Sequence, residues 1–250
     1  GSLLWCPANT APICFENQIV SIYDVAPIEH PEWFSRGFSC WYKYMWNSLV
    51  NVRAIITDSN DAKERIIKNL RVCPSKVKCV YLGVNNTFKN RPASKRVEMA
   101  GLPATQPYIL SLGSLEPRKN LTRLIKSWAR LSNDEKHGHV LAIAGGSGSA
   151  SVFSSQAAIQ VPEDVIFLGR VEESILPNLY HFATSFVYVS MYEGFGLPPL
   201  EAMSVGTSVI VGNATSLPEV VGSAGIYVDP YSETEIANAI KRILADEDLR

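Results

Sequence analysis

The chain has 250 residues with 24 acidic and 23 basic side chains, a formal net charge of -1 and a hydrophobic fraction of 46%, the composition of a globular protein with one large or two ordinary domains. No run of basic residues supports nucleic acid as a partner, and the apolar runs are too short to span a bilayer. The 5 cysteines stand at irregular spacing without a Cys-x-x-Cys pair, which favours reduced thiols in a cytoplasmic protein over a disulfide framework.

The first part of the chain predicts an incomplete α/β domain. Strands are expected at 18–24, 54–59 and 76–83, and helices near 40–51 and 61–70. The first helix carries the aromatic stretch WYKYMW (41–46), which we expect to be a packing face rather than a ligand platform. The polar stretch 88–107 is typical of a linker, so we place a partial N-terminal domain at 1–105 and a C-terminal domain at 106–250.

From residue 108 onward, strand and helix patterns alternate regularly. Ser232 followed by Glu235 predicts a capping box at the start of the last helix. Such alternation is typical of a parallel, doubly wound sheet, which binds ligands beyond the carboxyl ends of its strands. The predicted strands are YILSLG (108–113), HVLAIAGG (139–146), VIFLGR (165–170), SFVYVS (185–190), SVIVGN (208–213) and GIYVD (225–229).

The stretch YEGFGLPPLEAM (192–203) follows one of these strands and places two carboxylates around a Gly-Phe-Gly turn. Gly194 and Gly196 permit backbone conformations and a close ligand approach that other residues do not, and a helix is predicted to begin near Pro199. The amides at that helix start would attract an anion. Glu201, expected in the first helical turn, would accept hydrogen bonds from a vicinal diol such as a ribose. From spacing alone, a Gly-Pro loop with two solvated glutamates has equal standing.

A second loop, SLGSLEPRKNLTRLI (111–125), follows the strand that ends at Gly113. Asn120 is predicted to cap the next helix, and Arg118 and Lys119 stand directly before it. Two cations at a helix N-terminus oppose the helix dipole, whereas they would bind the oxygens of a diphosphate. Exposed loop cations are the simpler alternative, but both loops lie at carboxyl ends of one predicted sheet, which favours a shared site.

The ordered segments GSLEPRKNL, FLGRV, YEGFGLPPLEAMSVG and SLPEVVG resemble the retaining, nucleotide-sugar-dependent glycosyltransferases of group 1, also called family 4. The E-x7-E element from Glu193 to Glu201 is the most recognisable mark of that family. The resemblance covers 108–250 closely and 18–90 more distantly, where SIYDVAPIEHPEWFS matches a first-domain segment. It implies a GT-B fold, an α/β architecture of two Rossmann-type doubly wound parallel sheets, of which the first is incomplete here.

The resemblance also implies roles for individual residues. Arg118 and Lys119 would bind the donor diphosphate and stabilise the departing nucleotide without a metal or a cofactor. Glu201 would hold the ribose hydroxyls and Glu193 the donor sugar, which makes Arg118, Lys119 and Glu193 the candidate catalytic residues. The other candidate donor-binding residues are Gly113 at its strand end, Arg170 and Val171 at the base, and Gly194, Phe195, Gly196 and Leu197, whose amides would face the sugar and its phosphate.

Two departures from the family pattern bear on the acceptor side and on the chain ends. Many members have His-Asp where this chain has Tyr23 and Asp24, our candidate acceptor-side residues. A phenol, with a pKa of about 10, does not replace an imidazole as a base near neutral pH, although it can donate a hydrogen bond. The family's opening Gly-rich βα unit and its closing helix are missing, so we expect a chain that is shortened at both ends.

These inferences favour a cytoplasmic hexosyltransferase, peripheral on the inner face of the membrane, that acts in surface polysaccharide synthesis. The expected donor is a GDP-sugar or a UDP-sugar, with GDP-mannose as first choice because LEPRKN resembles bacterial mannosyltransferases. The expected acceptor is a saccharide or a lipid-linked molecule. Two alternatives remain open: a nucleotide-sugar 2-epimerase of the same fold, and a non-catalytic nucleotide-binding fragment.

Overall fold

The computed structural model describes residues 1–89, 96, 98, 101–114, 116–145 and 160–250. The chain forms two compact units. The first unit consists of Gly1–Gly83 with two short later segments, Tyr192–Gly196 and Thr215–Val220. The second unit consists of Val84–Met191, Leu197–Ala214 and Val221–Arg250. The domain boundary near residue 105 stays a prediction, and no sequence pattern indicated that two later segments belong to the first unit.

The first unit contains a parallel sheet of four strands in the order β1-β2-β3-β4. The strands are β1 (Leu4–Cys6), β2 (Gln18–Ser21), β3 (Ala54–Thr57) and β4 (Val77–Cys79). The sequence predicted β2, β3 and β4 but missed β1, so the expectation of three strands was wrong. Strand β1 has only three residues, of which Leu4 and Trp5 are exposed, and such a short edge strand has no alternating pattern to detect.

Two helices of the first unit begin at a serine cap. The Ser35 hydroxyl accepts the Phe38 N–H at the start of α2 (Arg36–Asn47), and the Ser59 hydroxyl accepts the Ala62 N–H at the start of α3 (Asn60–Leu70), as serine does at helix N-termini. The helices are α1 (Ala26–Glu29), α2 (Arg36–Asn47), α3 (Asn60–Leu70) and α8 (Leu217–Val221), whose last residue falls in the second unit, with 3-10 turns at Pro31–Trp33, Ser48–Asn51 and Pro74–Lys76.

The core of the first unit lies between its sheet and α2 and α3. Met45 and Trp46 are 1% exposed and pack with strand residues such as Val20 and Ile55, and the Trp46 indole N–H donates to the Asn9 carbonyl at 3.0 Å. The other aromatic side chains of α2 behave differently, because Phe38, Trp41 and Tyr44 are 42%, 53% and 62% exposed. The stretch 41–46 is therefore a packing face only in part.

The second unit contains a parallel sheet of six strands, and all six predicted strands are present. Its order is β10-β9-β8-β5-β6-β7, the doubly wound order in which the first strand lies in the middle. The chain therefore reverses direction across the sheet between β5 and β8. The strands are β5 (Tyr108–Leu112), β6 (Val140–Ala144), β7 (Val165–Gly169), β8 (Ser185–Tyr188), β9 (Val209–Gly212) and β10 (Gly225–Val228).

Two long helices cover one face of this sheet. Buried residues of both helices share one apolar core with strand residues such as Ile109 and Val187, and Trp128 lies fully buried within it. None of the helices in the described ranges has the length and apolar character needed to cross a bilayer. The helices are α4 (Leu121–Ala129), α5 (Asn133–Lys136), α6 (Leu176–His181), α7 (Leu197–Ser204) and α9 (Glu233–Ala245), with 3-10 turns at Asn86–Lys89, Pro117–Lys119, Gly222–Ala224 and Glu247–Leu249.

The predicted capping box at α9 is only half formed. The Ser232 hydroxyl accepts the Glu235 N–H at 3.2 Å, as expected. The Glu235 carboxylate, however, accepts the N–H of Asp229 at 2.9 Å and not that of Ser232. Asp229 follows β10 directly, so the carboxylate ties the end of that strand to the start of the helix.

Candidate functional site

The candidate site of the second unit begins where β5 and β6 end. Gly113 follows β5, and Gly145 follows β6 with a φ of +98°. A Cβ on Gly145 would lie 2.6 Å from the carbonyl oxygen of Gly113, so only glycine allows the two strand ends to approach this closely. This is the edge of the sheet at which doubly wound folds bind their ligands.

Arg118 and Lys119 lie on the 3-10 turn Pro117–Lys119, beside the reversal point between β5 and β8. The Lys119 ammonium donates to the Tyr188 hydroxyl at 2.7 Å and lies 5.2 Å from the centre of that ring. The Arg118 guanidinium donates to the Glu116 carboxylate at 2.5 Å. Burial opposes ionisation of Glu116, but the bond and charge of Arg118 hold the pKa of Glu116 below its ordinary value. Both cations are thus oriented by neighbours.

Asn120 does not cap α4 in the way that the sequence predicted. It precedes Leu121, but its backbone is left-handed with a φ of +60°, and its side chain makes no capping bond. Its amide instead donates to the Val189 and Pro230 carbonyls at 3.0 and 2.6 Å. Asn120 therefore ties the turn Pro117–Lys119, here called the cationic turn, to the ends of β8 and β10. This tertiary role overrides the local capping preference.

Two adjoining pockets open at this edge of the second sheet. The smaller, of 430 Å³, is lined by the cationic turn and the ends of β5, β6 and β8. The larger, of 810 Å³, extends along the segment after β7 to the start of α7. Their shared walls are Leu112, Arg170, Val171, Leu176 and Pro198. The smaller pocket contains Gly113, Arg118 and Lys119, and the larger contains Leu197 and Glu201.

Glu201 forms the acidic end of the larger pocket. Its Oε2 accepts the Tyr180 hydroxyl at 3.1 Å, while its Oε1 has no donor among the residues that the structure describes. Burial raises the pKa of Glu201 above its ordinary value and the charge of Glu173 adds to the rise, whereas the Tyr180 hydroxyl lowers it. Helix α7 begins at Leu197, two residues before the predicted start, so Glu201 lies in its second turn rather than in its first.

Glu193 lies in the first unit, in the segment Tyr192–Gly196. Its side chain is buried, with 7% exposure. Its N–H donates to the Thr215 hydroxyl at 3.0 Å, and its carbonyl accepts the Ser216 hydroxyl at 3.1 Å. The Ser216 hydroxyl also reaches the carbonyl of Phe195 at 2.7 Å. Hydroxyl groups of a neighbouring segment therefore hold the backbone around this glutamate.

The turn after Glu193 requires glycine at both of its glycine positions. A Cβ on Gly194 would lie 2.2 Å from the Tyr23 carbonyl oxygen, and Gly196 has a φ of +110° with Leu217 at 2.7 Å from a Cβ. Within the described part of the chain, the N–H groups of Gly194, Phe195 and Gly196 have no hydrogen-bond acceptor. Successive unpaired N–H groups of this kind make an anion-binding concavity.

Tyr23 and Asp24 follow β2 and lie beside Gly194 in the first unit. The Tyr23 hydroxyl donates to the Pro7 carbonyl at 2.6 Å, and its N–H donates to the Asn9 side chain at 2.8 Å. Asp24 accepts the Ala26 N–H at 3.0 Å. The phenol therefore holds the segment after β1. The acceptor-side role of Tyr23 and Asp24 stays a prediction.

The described residues contain no group of three or more His, Cys, Asp or Glu side chains that would hold a metal ion. Catalysis without a metal or a cofactor stays a prediction. The five cysteines, Cys6, Cys14, Cys40, Cys73 and Cys79, are free thiols.

Residues 95–250 match the family described as glycosyl transferases group 1. The chain belongs to this family. It is 31% identical over 248 residues to O-antigen chain mannosyltransferase B of Escherichia coli, with 96% of this chain and 64% of the relative covered. It is 28% identical over 240 residues to O-antigen chain mannosyltransferase RfbU of Salmonella typhimurium, with 94% and 63% covered. This group 1 chain thus spans less than two thirds of the length of these relatives.

Solved structures confirm the fold predicted for this group 1 chain. HepE of Anabaena in complex with UDP-glucose matches with a TM-score of 0.70 at 19% identity, over 93% of this chain and 64% of that one. WaaG, a glycosyltransferase involved in lipopolysaccharide biosynthesis, matches with a TM-score of 0.74 at 15% identity, over 100% of this chain and 70% of that one. These identities are low, so the likeness supports the arrangement of two Rossmann-type parallel sheets and nothing finer.

The group 1 motifs did not reveal several residues that support the site. Tyr188 ends a buried strand, and Tyr180 lies on α6, so both look like core residues in the sequence, yet their hydroxyls contact Lys119 and Glu201. No sequence pattern indicates the residues whose hydroxyl groups bond the glycine turn. They are Ser59, which donates to the Gly194 carbonyl, and Thr215 and Ser216.

Proposed function

We propose that this protein is a retaining glycosyltransferase that moves a hexose from a nucleotide diphosphate sugar to a saccharide or lipid-linked acceptor. The observation that carries the proposal is the pair of adjoining pockets in the second unit, which have cations at one end and a carboxylate with an open oxygen at the other. A nucleoside diphosphate has the matching polarity, with its phosphates at one end of the ribose and the diol on the ring.

Arg118 and Lys119 would bind the diphosphate and stabilise the charge that grows on it as the glycosidic bond breaks. Lys119 is aimed by Tyr188, and Arg118 by Glu116, so both charges are in place before the reaction and need little reorganisation. A diphosphate would compete with Glu116 for the guanidinium, which can bind phosphate oxygens in a bidentate manner. The leaving nucleotide is thereby stabilised by side chains rather than by a metal.

Glu201 would hold the ribose, with Arg170 and Val171 bordering the base. Its Oε2 is already fixed by Tyr180, so the orientation of the carboxylate is set before a ligand arrives. The remaining oxygen would accept the hydroxyls of the diol. The amides of Gly194, Phe195, Gly196 and Leu197 would bind the sugar and its phosphate, and the Glu193 side chain would contact the transferred sugar.

GDP-mannose is our first choice of donor, with mannose as the transferred sugar, and surface polysaccharide synthesis is our choice of process. Two relatives, from Escherichia coli and Salmonella typhimurium, carry the name O-antigen chain mannosyltransferase, which supports both choices. HepE binds UDP-glucose, which keeps a UDP-sugar as the second choice.

A thermal-shift panel of GDP, UDP, ADP and their sugars tests this proposal. We expect GDP and GDP-mannose to raise the melting temperature most, because ligand bound only to the folded state stabilises it. Product analysis with GDP-mannose then separates transfer, which releases GDP, from epimerisation, which releases an altered sugar nucleotide. No shift with any nucleotide would refute the proposed function, and binding without turnover would leave a nucleotide-binding module.

We also propose that the protein works at the membrane surface, through α2. Phe38, Trp41 and Tyr44 lie three residues apart on this helix and are 42%, 53% and 62% exposed. The helix contains Arg36 and Lys43 and no acidic residue. Exposed aromatic rings on a helix that carries cations and no carboxylate suit the interface of an anionic bilayer. The protein should pellet together with phosphatidylglycerol vesicles, and the double variant Trp41→Ser, Tyr44→Ser should stay in the supernatant. An equal pelleted fraction of both proteins would contradict this role.

A further inference from the structure

The backbone of residues 193–196, here called the donor loop, is fixed through its carbonyl groups. The Ser216 hydroxyl contacts the carbonyls of Glu193 and Phe195 at 3.1 and 2.7 Å. The Ser59 hydroxyl donates to the Gly194 carbonyl at 2.5 Å. Three consecutive carbonyls of the loop are thus engaged by two buried serines, both 0% exposed.

Fixing a carbonyl also fixes the N–H of the following residue, because a trans peptide is planar and its C=O and N–H point in opposite directions. The bond from Ser59 to the Gly194 carbonyl therefore sets the direction of the Phe195 N–H. In the same way, Ser216 sets the N–H groups of Gly194 and Gly196. These three N–H groups have no acceptor in the described part of the protein, so the serines decide where the amides of the donor loop point.

Ser59 is itself held in place by α3. Its hydroxyl accepts the Ala62 N–H at 3.0 Å while it donates to Gly194. One hydroxyl hydrogen and one lone pair are then both used, which fixes the rotation of the side chain. Ser59 thus joins the first turn of a helix to the donor loop.

Glu219 completes the start of α3. Its carboxylate accepts the N–H groups of Asn60 and Asp61 at 2.8 and 3.1 Å, and the Tyr81 hydroxyl at 2.7 Å. Partial burial opposes ionisation of Glu219, but the N–H of Asn60 and the Tyr81 hydroxyl hold its pKa below the ordinary value. The first three N–H groups of α3 all have side-chain acceptors, so the helix start that carries Ser59 is well ordered.

We propose that Ser59 and Ser216 are positioning residues for glycosyl transfer, which act through the donor loop by aiming its amides at the phosphate and sugar of the donor. This proposal rests on the proposed function. Both serines are fully buried, so they would act through the loop rather than by direct contact with the donor. Their contribution is to fix the amides before the donor binds, since small displacements of groups that face a reacting centre slow the reaction strongly.

The test compares Ser59→Ala with Ser59→Thr and with a matched cap variant, Ser35→Ala. Ser35 caps α2 as Ser59 caps α3 but does not contact the donor loop, so both alanine variants lose an N-cap and only one loses a bond to the loop. Melting temperature, affinity for GDP and for guanosine by calorimetry, and kcat and KM with GDP-mannose are measured for each, with UDP, uridine and UDP-glucose used if the wild type prefers uracil.

Ser59→Ala should lose roughly tenfold or more in kcat/KM and in affinity for the diphosphate, and little in affinity for the nucleoside, which lacks the phosphates that the loop amides would bind. Ser59→Thr keeps a hydroxyl and should restore both values. Ser35→Ala should lower the melting temperature less than Ser59→Ala, because its capping bond is exposed and Ser59 also bonds a buried carbonyl, and it should show neither of these losses. If Ser59→Ala does not fold, Ser216→Ala should show the same selective loss.

Equal kinetics and affinities for Ser59→Ala and Ser35→Ala would overturn the positioning role, as would parallel losses for diphosphate and nucleoside. Wild-type behaviour of Ser216→Ala would overturn it in the same way. A wild-type protein that binds none of the nucleotides would instead refute the proposed function, and the positioning role with it, before any variant is compared.

Discussion

Replacing Asp58 with asparagine is expected to stabilise the first unit, and to do so more at pH 8 than at pH 5. Asp58 follows β3 and is 4% exposed, and its Oδ1 has no hydrogen-bond partner among the described residues. Burial raises the pKa of Asp58 from its ordinary value of 3.8 to about 7, and the charges of Asp24 and Glu219 add to the rise, against a hydrogen bond from its own backbone.

The folded protein therefore holds a proton on Asp58 more tightly than the unfolded chain does. The stability that comes from this proton is fully present below pH 3.8 and is lost as the pH rises through about 7. Each tenfold change in proton affinity corresponds to about 1.4 kcal/mol. Between pH 5 and pH 8 the wild type should lose about 2–3 kcal/mol of unfolding free energy that Asp58→Asn retains.

Urea unfolding at pH 5 and pH 8, followed by tryptophan fluorescence, measures this difference. Both units contribute to this signal, the first through the buried Trp46 and the second through the buried Trp128, so the transition that differs between wild type and Asp58→Asn is the one to follow. Glu64→Gln is the control, since Glu64 is exposed on α3 of the first unit and its replacement removes a solvated carboxylate rather than a buried one. The reasoning would be refuted by a difference between wild type and Asp58→Asn that is equal at the two pH values or larger at pH 5.

Glu201→Ala should weaken binding of GDP or UDP by about 1–3 kcal/mol, because a buried diol would lose its acceptor; an unchanged affinity in calorimetry would remove the ribose role. Arg118→Ala combined with Lys119→Ala should weaken binding of the nucleoside diphosphate far more than binding of the bare nucleoside, since only the phosphates would contact the cations. Equal losses of affinity in the two titrations would argue against a phosphate-binding role. Gly194→Ala should destabilise the first unit by about 1–3 kcal/mol, because a Cβ would lie 2.2 Å from the Tyr23 carbonyl oxygen; an unchanged melting temperature would contradict this packing.

Most of the second sheet was predictable because its strands are buried and rich in β-branched residues. Burial of both faces gives a continuous apolar run, which is detectable in a single sequence. Element ends were less predictable. The start of α7 at Leu197 rather than Pro199 and the unusual backbone of Asn120 depend on contacts with distant strand ends, which no local pattern encodes.

The candidate site was predictable where a motif marks the chain and not where the support comes from another segment. The ordered motifs identified Arg118, Lys119 and Glu201, and the structure places all three on the adjoining pockets of the second unit. The role of Ser59 was not visible, because its partner Gly194 lies 135 residues later in the chain. The hydrogen bond of Tyr23 to Pro7 was equally hidden, since it depends on the unpredicted strand β1.

The E-x7-E element is continuous in the sequence, yet Glu193 belongs to the first compact unit and Glu201 to the second. Hydrogen exchange and proteolysis follow the opening of such units rather than neighbourhood along the chain. A fluctuation that loosens the first unit would therefore release Glu193 and its turn while Glu201 stays protected within α7. The two ends of the family motif would then differ in hydrogen-exchange protection, although only seven residues separate them in the sequence.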